Sequence, residues 1–399
     1  MSKHFSPFSY AELIPQEEML EIKKQKGQLF IGLPKETFFE EKRICLTPDA
    51  VAALTQSGHK IVIETGAGEC ANFTDHNYSE AGAKIAYHAK EVFDCHIILK
   101  IEPPTFEEIA LIKPQSILVS ALQLKTQTKK YFEALAQKRI TAIAFDFIKD
   151  DQGIYPIVKS LSEIAGTASV LIAAELMSTQ NNGNGVLLGN ISGVPPCEVV
   201  ILGAGTVGEF AAKSALGIGA SVKVFDNSIS KLRNLQNNTS ATVYTSTLQP
   251  RTLQKALMRC DVVIGALRGT SRSPVVVTEE MIQNMKPGAV IVDVSIDRGG
   301  CFETSEVTTH SCPTFEKHGI THYCVPNIPS RYARTATVSI SNILTPFLLH
   351  IADQGGFEHA FRSERVLQSG MYFYHGILTH KAVGEWFDLP YRDINLLIL

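Results

Sequence analysis

Residues 197–226 read CEVVILGAGTVGEFAAKSALGIGASVKVFD. Residues 199–202 form an apolar run expected as a buried strand. Gly203, Gly205 and Gly208 follow as G-x-G-x-x-G, a helix is expected over 209–216, and a second apolar strand ends at Asp226. That order suits recognition of a pyrophosphate. Gly203 permits a tight turn, Gly205 lets backbone approach the phosphates, and Gly208 lets helix and strand pack closely. The helix N-terminus then offers free N–H groups and a partial positive charge. By itself the fingerprint is weak, and the competing reading is an α/β turn that binds no phosphate. Here strand, turn, helix, strand and terminal acid all fall in sequence. Asp226 lies 18 residues past Gly208, where a carboxylate accepts the ribose hydroxyls and repels a 2′-phosphate. NAD(H) is therefore expected over NADP(H). FAD shares the fingerprint but usually at the very start of its domain, whereas about half of this chain comes first.

Working outward, 399 residues exceed one ordinary core, so two domains are expected. Charged residues are 19% and the net charge is near -3, with no Lys/Arg block, which argues against a nucleic-acid partner. No uncharged apolar run of 18 residues appears, so no membrane partner is expected. The first residues lack the apolar centre of a secretion signal. Eight scattered cysteines without a C-x-x-C pair read as reduced, mostly buried thiols of a cytoplasmic protein. Cys45, Cys70 and Cys95 have no metal-ligand spacing, and no metal is expected.

Residues 1–28 read as a polar N-terminal arm. Beyond it, strands are expected at QLFIGLPKE, HKIVIETGAG, CHIILKIEPP, 116–121 and 140–147, with short helices between them. A helix over 48–57 is expected to cap at Thr47 with Pro48 at its first position. A long apolar helix is expected over 162–177, as a bridge to the nucleotide domain. Further strands fit 261–266, 289–295 and 321–325, and a second long helix fits 335–352. Strands alternating with helices predict an α/β fold: two Rossmann-like domains with parallel sheets.

These segments resemble the alanine dehydrogenase family, which is related to the first domain of nicotinamide nucleotide transhydrogenase. The matching pieces are GLPKE, EKRICLTPDAV, LTQSGHKIVIETGAGE, SEIAG, GAGTVG, KPGAVIVDVSIDRGGCFE and YCVPNIPS. HGILTHKAVGEWFDLP looks like the family's closing helix. The resemblance implies a nucleotide domain (158–334) inserted into a discontinuous catalytic domain (29–157 and 335–399). It implies NAD as cofactor, a homo-oligomer (hexamer or dimer), and reversible oxidative deamination of L-alanine, or a related amino acid, to the 2-oxo acid and ammonia. Arg43 matches the arginine that clamps the substrate carboxylate. Ser162 matches a serine beside the cofactor, and Asp226 and Lys231 match ribose-side groups. Asp297 matches an acid on the ammonia side, and Asn327 an asparagine near the nicotinamide.

Two positions depart from the pattern. In the family a lysine and a histidine handle protons at the reacting carbon. A gapless match puts Glu102 at the lysine position, with Lys100 at an earlier, non-catalytic lysine on the same strand face. Gln123 stands in SALQLKT where the histidine is expected, and an amide takes up no proton at neutral pH. Three readings remain open. Glu102 serves as acid and base in an altered dehydrogenase; the chain binds NAD(H) without catalysis, as a regulatory or partner subunit; or Lys125, His375 or Arg298 restores alanine dehydrogenase activity. Bland readings stand beside each residue. Arg43 has Glu40 and Glu41 at hand for a plain ion pair, Lys231 for one with Asp226, Gln123 as a space filler, and His375 as a packed helix residue.

Overall fold

A computed structural model describes residues 27–398, apart from 39, 240, 270 and 271. All but the last two residues of the expected N-terminal arm lie outside the described residues. Two sheets organise the rest. The first takes β1 (Phe30–Leu33), β2 (Lys60–Glu64), β3 (Lys84–Ala86), β4 (Ile97–Leu99), β5 (Ile117–Ser120) and β6 (Thr141–Ala144). The second takes β7 (Glu198–Leu202), β8 (Ser221–Phe225), β9 (Tyr244–Ser246), β10 (Val262–Gly265), β11 (Val290–Asp293), β12 (Thr314–Lys317) and β13 (Ile320–Tyr323). The chain then returns to the first sheet with β14 (Met371–Tyr374) and β15 (Ile377–Leu378). The second sheet is thus inserted into the first.

Strand order is β15-β14-β6-β5-β4-β1-β2-β3 in one sheet and β12-β13-β11-β10-β7-β8-β9 in the other. Each therefore contains the 3-2-1-4-5-6 order of a doubly wound sheet, reversing between β1 and β4 and between β7 and β10. Pairing is parallel except where β14, β15 and β12 join, a departure from the all-parallel expectation. Those strands are short additions at sheet edges, where hairpins supply antiparallel neighbours cheaply. Alternate residues serve opposite cores: Ile97 and Leu99 face one cluster and Ile98 another, and Val199 and Ile201 oppose Val200 and Leu202. Both faces are buried, which is why these strands read as continuous apolar runs.

The helix Pro48–Gln56 starts where expected, with Thr47 accepting from the Ala50 N–H and Pro48 in its first turn. The first long helix begins six residues earlier than expected, at Pro156, and runs to Leu176. Pro156 fits the first helical position, where its missing N–H costs nothing. HGILTHKAVGEWFDLP is not one helix: it contains the β14–β15 turn, β15 and a helix confined to Lys381–Phe387. Gly376, at φ +82°, allows the turn that divides it. Pro156–Leu176 and Ile328–Asp353 are long and apolar enough to cross a membrane by length and composition. Each buries one stripe against a sheet core, as Ala333, Ile340, Leu344 and Leu348 show at helical spacing.

Hydrogen bonds tie the segment after β1 to the second sheet's loops. His310 and Ser311 N–H groups donate to Glu40 at 2.8 and 3.0 Å, and the Lys42 N–H donates to Ser330 Oγ at 3.0 Å. Thr337 and Ser341, on the helix Ala333–Asp353, accept from the N–H groups of Ile44 and Thr47, both at 3.1 Å.

Candidate active site

Doubly wound sheets bind ligands beyond the carboxyl ends of their strands, at the reversal of strand order. In the second sheet that point lies between β7 and β10. Gly203, at φ +114°, ends β7, and a Cβ there would stand 2.4 Å from the Ala266 carbonyl after β10. A Cβ at Gly208 would stand 1.8 Å from the Gly203 carbonyl. At Gly205 a Cβ would meet nothing within 4 Å, so this backbone borders open space at the start of the helix Thr206–Gly217. A cradle of this shape fits a pyrophosphate. Asp226 is buried, and its carboxylate accepts from the N–H groups of Ala204 and Ser228, both at 2.8 Å. It is thereby held at the end of β8 beside the glycine turn. Lys231 is exposed and makes no ion pair with Asp226. Ser162 lies on the first long helix and turns its hydroxyl to the Val158 carbonyl at 2.7 Å.

In the first sheet, the reversal between β1 and β4 gathers the other candidates. Arg43 follows β1, Glu102 follows β4 and Gln123 follows β5. Arg43 is buried, and its Nε and Nη2 donate to the two carboxylate oxygens of Glu41 at 2.7 and 2.5 Å. Its Nη2 lies 3.8 Å from Glu102 Oε1. The Gln123 amide donates to Glu102 Oε2. Gln123 holds φ +47°, an uncommon conformation for a non-glycine residue, and Asp146 Oδ1 accepts from the preceding Leu122 N–H at 3.1 Å. From the second sheet, Asn327 donates to Glu41 Oε2 through its amide at 2.9 Å and to Asp297 Oδ1 through its N–H at 3.0 Å. The structure therefore brings Arg43, Glu102, Gln123, Asp297 and Asn327 to one cleft between the sheets.

Lys100 does not share this cleft. β4 ends at Leu99, so Lys100 and Glu102 lie beyond the strand, where its alternation no longer sets a common face. The Lys100 ammonium is buried between Glu36 at 2.9 Å and Glu108 at 3.1 Å. Lys100 is therefore engaged by these two acids and turned away from the Arg43–Glu102–Gln123 contacts. His375 sits on the β14–β15 turn, and its N–H donates to Thr141 at the first residue of β6, the end of the sheet away from the cleft. Lys125 is exposed in the turn Leu124–Thr126. Arg298 stands next to Asp297, where burial and the nearby Arg268 lower its pKa.

Two neighbouring carboxyls are driven apart. Burial raises both, but Arg43 and several N–H donors overcome it at Glu41 and hold that group ionised, at about 2. At Glu102 burial dominates, the Glu41 charge adds to it, and Arg43 opposes it only in part, so the group is pushed up to about 8. Burial and the Glu41 charge thus favour the protonated form of Glu102 near neutrality. Asp297 opens onto the cleft yet is ringed by protein, and that crowding raises its pKa against the Asn327 N–H and the Arg43 charge. The central place of Glu41 was visible in the sequence only as an acid two residues from Arg43.

A stability test follows from the Glu102 shift. Between about pH 5 and 8 the unfolded chain releases this proton while the native chain keeps it. Native stability accordingly falls as pH rises through that window, by at most about 1.4 kcal/mol per pH unit. Glu41 contributes the opposite sense and lower down, with stability lost as pH falls toward 2. Glu102→Gln keeps the shape and removes the titration. Urea melts at pH 5 and pH 8 are expected to show a smaller decline in this variant, and an unchanged decline would place the proton elsewhere.

Family models match both halves of the chain: "Alanine dehydrogenase/PNT, N-terminal domain" over residues 32–165 and "Alanine dehydrogenase/PNT, C-terminal domain" over residues 169–381. The chain belongs to the alanine dehydrogenase/PNT family. It is 37% identical over 367 residues to Alanine dehydrogenase 2 of Staphylococcus aureus (strain USA300), covering 92% of this chain and 98% of that one. A solved L-alanine dehydrogenase matches with a TM-score of 0.84 at 35% identity, over 90% of this chain and 99% of that one. The transhydrogenase from Sinorhizobium meliloti shares the fold, with a TM-score of 0.76 at 22% identity over 88% and 99% of the two chains. Against this alanine dehydrogenase frame, Glu102 and Gln123 are not scattered replacements. They touch each other, and they sit beside the arginine that the resemblance assigns to the substrate.

Proposed function

We propose that the chain is an NAD-dependent amino-acid dehydrogenase of the alanine dehydrogenase type, in which Glu102 handles the proton. The substrate pair is L-alanine, or a related amino acid, with its 2-oxo acid and ammonia. The carrying observation is the buried Glu102 carboxyl placed between Arg43 and the Gln123 amide, where burial pushes its pKa up to about 8. A carboxylic acid kept neutral near pH 7 can donate a hydrogen bond to a carbonyl oxygen and accept the proton back. Arg43 spends two of its five N–H groups on Glu41, leaving three for a substrate carboxylate. Asp297 offers negative charge to an ammonium group on the cleft's other wall. Gly203, Gly205, Gly208, Asp226, Lys231, Ser162 and Asn327 would hold NAD, which when bound accepts or supplies the hydride.

In this reading residues 29–157 and 335–399 form the substrate side and 158–334 the cofactor side. The protein works in the cytoplasm as a homo-oligomer, hexamer or dimer. Leu171 and Val338, exposed on the two long helices, support self-association.

A second reading, NAD(H) binding without catalysis, is favoured by one observation: Glu41 already occupies the fork of Arg43. One assay separates the two. NADH oxidation is followed across a panel of 2-oxo acids with ammonia, beside direct NADH titration. The dehydrogenase reading expects turnover with at least one acid; tight NADH binding with none would favour the second. The same titrations test the cofactor. NADH is expected to bind at least tenfold more tightly than NADPH, roughly 1.4 kcal/mol, because the buried Asp226 carboxylate repels a 2′-phosphate. Asp226→Ser should narrow that gap. Equal constants in the parent chain would refute the assignment of Asp226.

A further inference from the structure

Behind the Glu41–Asn327 contact lies a cavity of about 490 Å³ that the dehydrogenase reading does not use. Its lining includes Lys42, Glu175, Asn182, His310, Tyr323 and Arg331. Lys42 comes from the segment after β1, Glu175 from the first long helix, Asn182 from the linker after it, Tyr323 from the end of β13, and His310 and Arg331 from the segments flanking that strand's hairpin. Charge in the cavity is unbalanced. Glu175 is satisfied by Arg331, at 2.6 Å, whereas the Lys42 ammonium has no carboxylate within ion-pair distance among the described residues. Of the neighbouring acids, Glu40 is turned to the N–H groups of His310 and Ser311, and Glu41 is paired with Arg43.

A second, independent feature points the same way. Tyr323 is 1% exposed, and its hydroxyl is buried without a hydrogen-bond partner. Burying a hydroxyl unpaired costs about 1–3 kcal/mol, so a ligand group that reaches it from the cavity, past the adjacent Arg331, removes that cost. The Arg331 guanidinium lies over the same ring, 5.9 Å from its centre. An ammonium, a guanidinium and an unpaired hydroxyl, with the Asn182 amide, make a donor set for an oxyanion. The volume exceeds what a bare ion needs and falls in the range of small-molecule sites.

The geometry points to a second ligand site here, for a small polar molecule bearing one carboxylate or phosphate group, held between Lys42 and Arg331. The site shares a wall with the candidate active site. The Lys42 N–H donates to Glu41 Oε1 at 3.0 Å, Glu41 holds Arg43, and His310 Nε2 lies 3.3 Å from the Asn327 carbonyl oxygen. Arg331 directly follows Ser330, which accepts from the Lys42 N–H. An anion bridging Lys42 and Arg331 therefore presses residues 41–43 against residues 327–331. It favours the arrangement in which Glu41 and Asn327 are joined, and thereby sets how readily the cleft opens.

The test uses the full chain saturated with NADH, so that the glycine turn is filled, and calorimetric titration with inorganic phosphate and, separately, with citrate. Saturable binding of either probe is expected, weakened at least tenfold in Lys42→Ala and about fivefold in Tyr323→Phe. Phosphate alone would assign a phosphate-bearing ligand, and citrate alone a carboxylate. Amide exchange at 41–43 and 327–331 is expected to slow with the probe bound in the parent chain and to stay unchanged in Lys42→Ala. Lys42 is exposed and unpaired, so its removal leaves the fold intact. Binding that is equally strong in Lys42→Ala, or no saturable binding of either probe, overturns the proposal. None of these readouts depends on turnover.

Discussion

Arg43→Ala is expected to lose oxo-acid turnover by on the order of a hundredfold or more, while NADH affinity changes by less than about twofold. A planar fork matched to a carboxylate fixes the substrate in two directions, and a methyl group fixes it in none. The substitution has a structural cost as well. Glu41 is fully buried and paired through both oxygens, and removing the partner of a buried ion pair destabilises by about 3–5 kcal/mol. Arg43→Lys separates the two effects. It leaves a positive charge beside Glu41 but presents a single point of donation instead of a fork. Turnover should therefore fall in Arg43→Lys with most of the stability retained. Steady-state kinetics on both variants, beside their urea melts, decide the matter. Normal handling of the oxo acid by a folded Arg43→Lys chain would mean that the carboxylate is anchored elsewhere, with Arg298 the next cation along the cleft.

The second large effect is a gain. Glu102→Lys combined with Gln123→His is expected to raise pyruvate amination by about a hundredfold, the usual reach of well-placed general acid–base groups. A lysine at 102 offers positive charge to an oxygen that becomes negative in the transition state, whereas an ionised Glu102 would oppose it. Protonated Glu102 escapes that penalty but donates only one hydrogen bond. The pocket can carry the added charge, because Arg43 holds Glu41 ionised nearby and Glu36 lies within reach beside Lys100. A histidine at 123 restores a group that takes up a proton near neutrality, which the Gln123 amide cannot do. The comparison is with the unmodified chain, assayed with NADH, ammonia and pyruvate. Robust turnover by that chain, diminished by the double change, would show that the proton is handled by other residues. The family assignment would stand and the roles given to Glu102 and Gln123 would fall.

How far the sequence led can be traced residue by residue. The second sheet's start was legible because every signal in residues 197–226 is local: an apolar run, three spaced glycines, a helix and a terminal acid. Strands such as β5 and β10 were equally plain, being apolar on both faces. β3, β9 and β12 escaped notice because each is a short edge strand whose side chains are partly exposed, leaving no periodic pattern. The β14–β15 turn and β15 were hidden inside what read as a helix, and β14 just before it. In the site, the sequence placed Arg43, Glu102 and Gln123 as candidates, but through resemblance rather than through anything local. Their meeting depends on the adjacency of β1, β4 and β5, which strand order alone decides. The Glu41–Asn327 contact joins residues 286 positions apart, and no local pattern announces a pairing at that range. Nor does charge alone reveal that Lys100 is locked between two acids while burial pushes the Glu102 pKa up.

The late return of the chain to the first sheet also bears on how the protein is made. β6 ends at Ala144, yet the strand that covers its edge begins at Met371. Translation runs at about 5–20 residues per second, so a nascent chain carries this edge bare for on the order of ten to forty seconds. A bare edge is a template for unwanted pairing with other chains. Meanwhile the second sheet emerges whole and can close on itself. The ribosome therefore delivers a finished nucleotide-side unit before its elder half can be sealed. Truncation after the helix Ala333–Asp353 should yield a chain that aggregates through β6, whatever the fate of its cofactor turn.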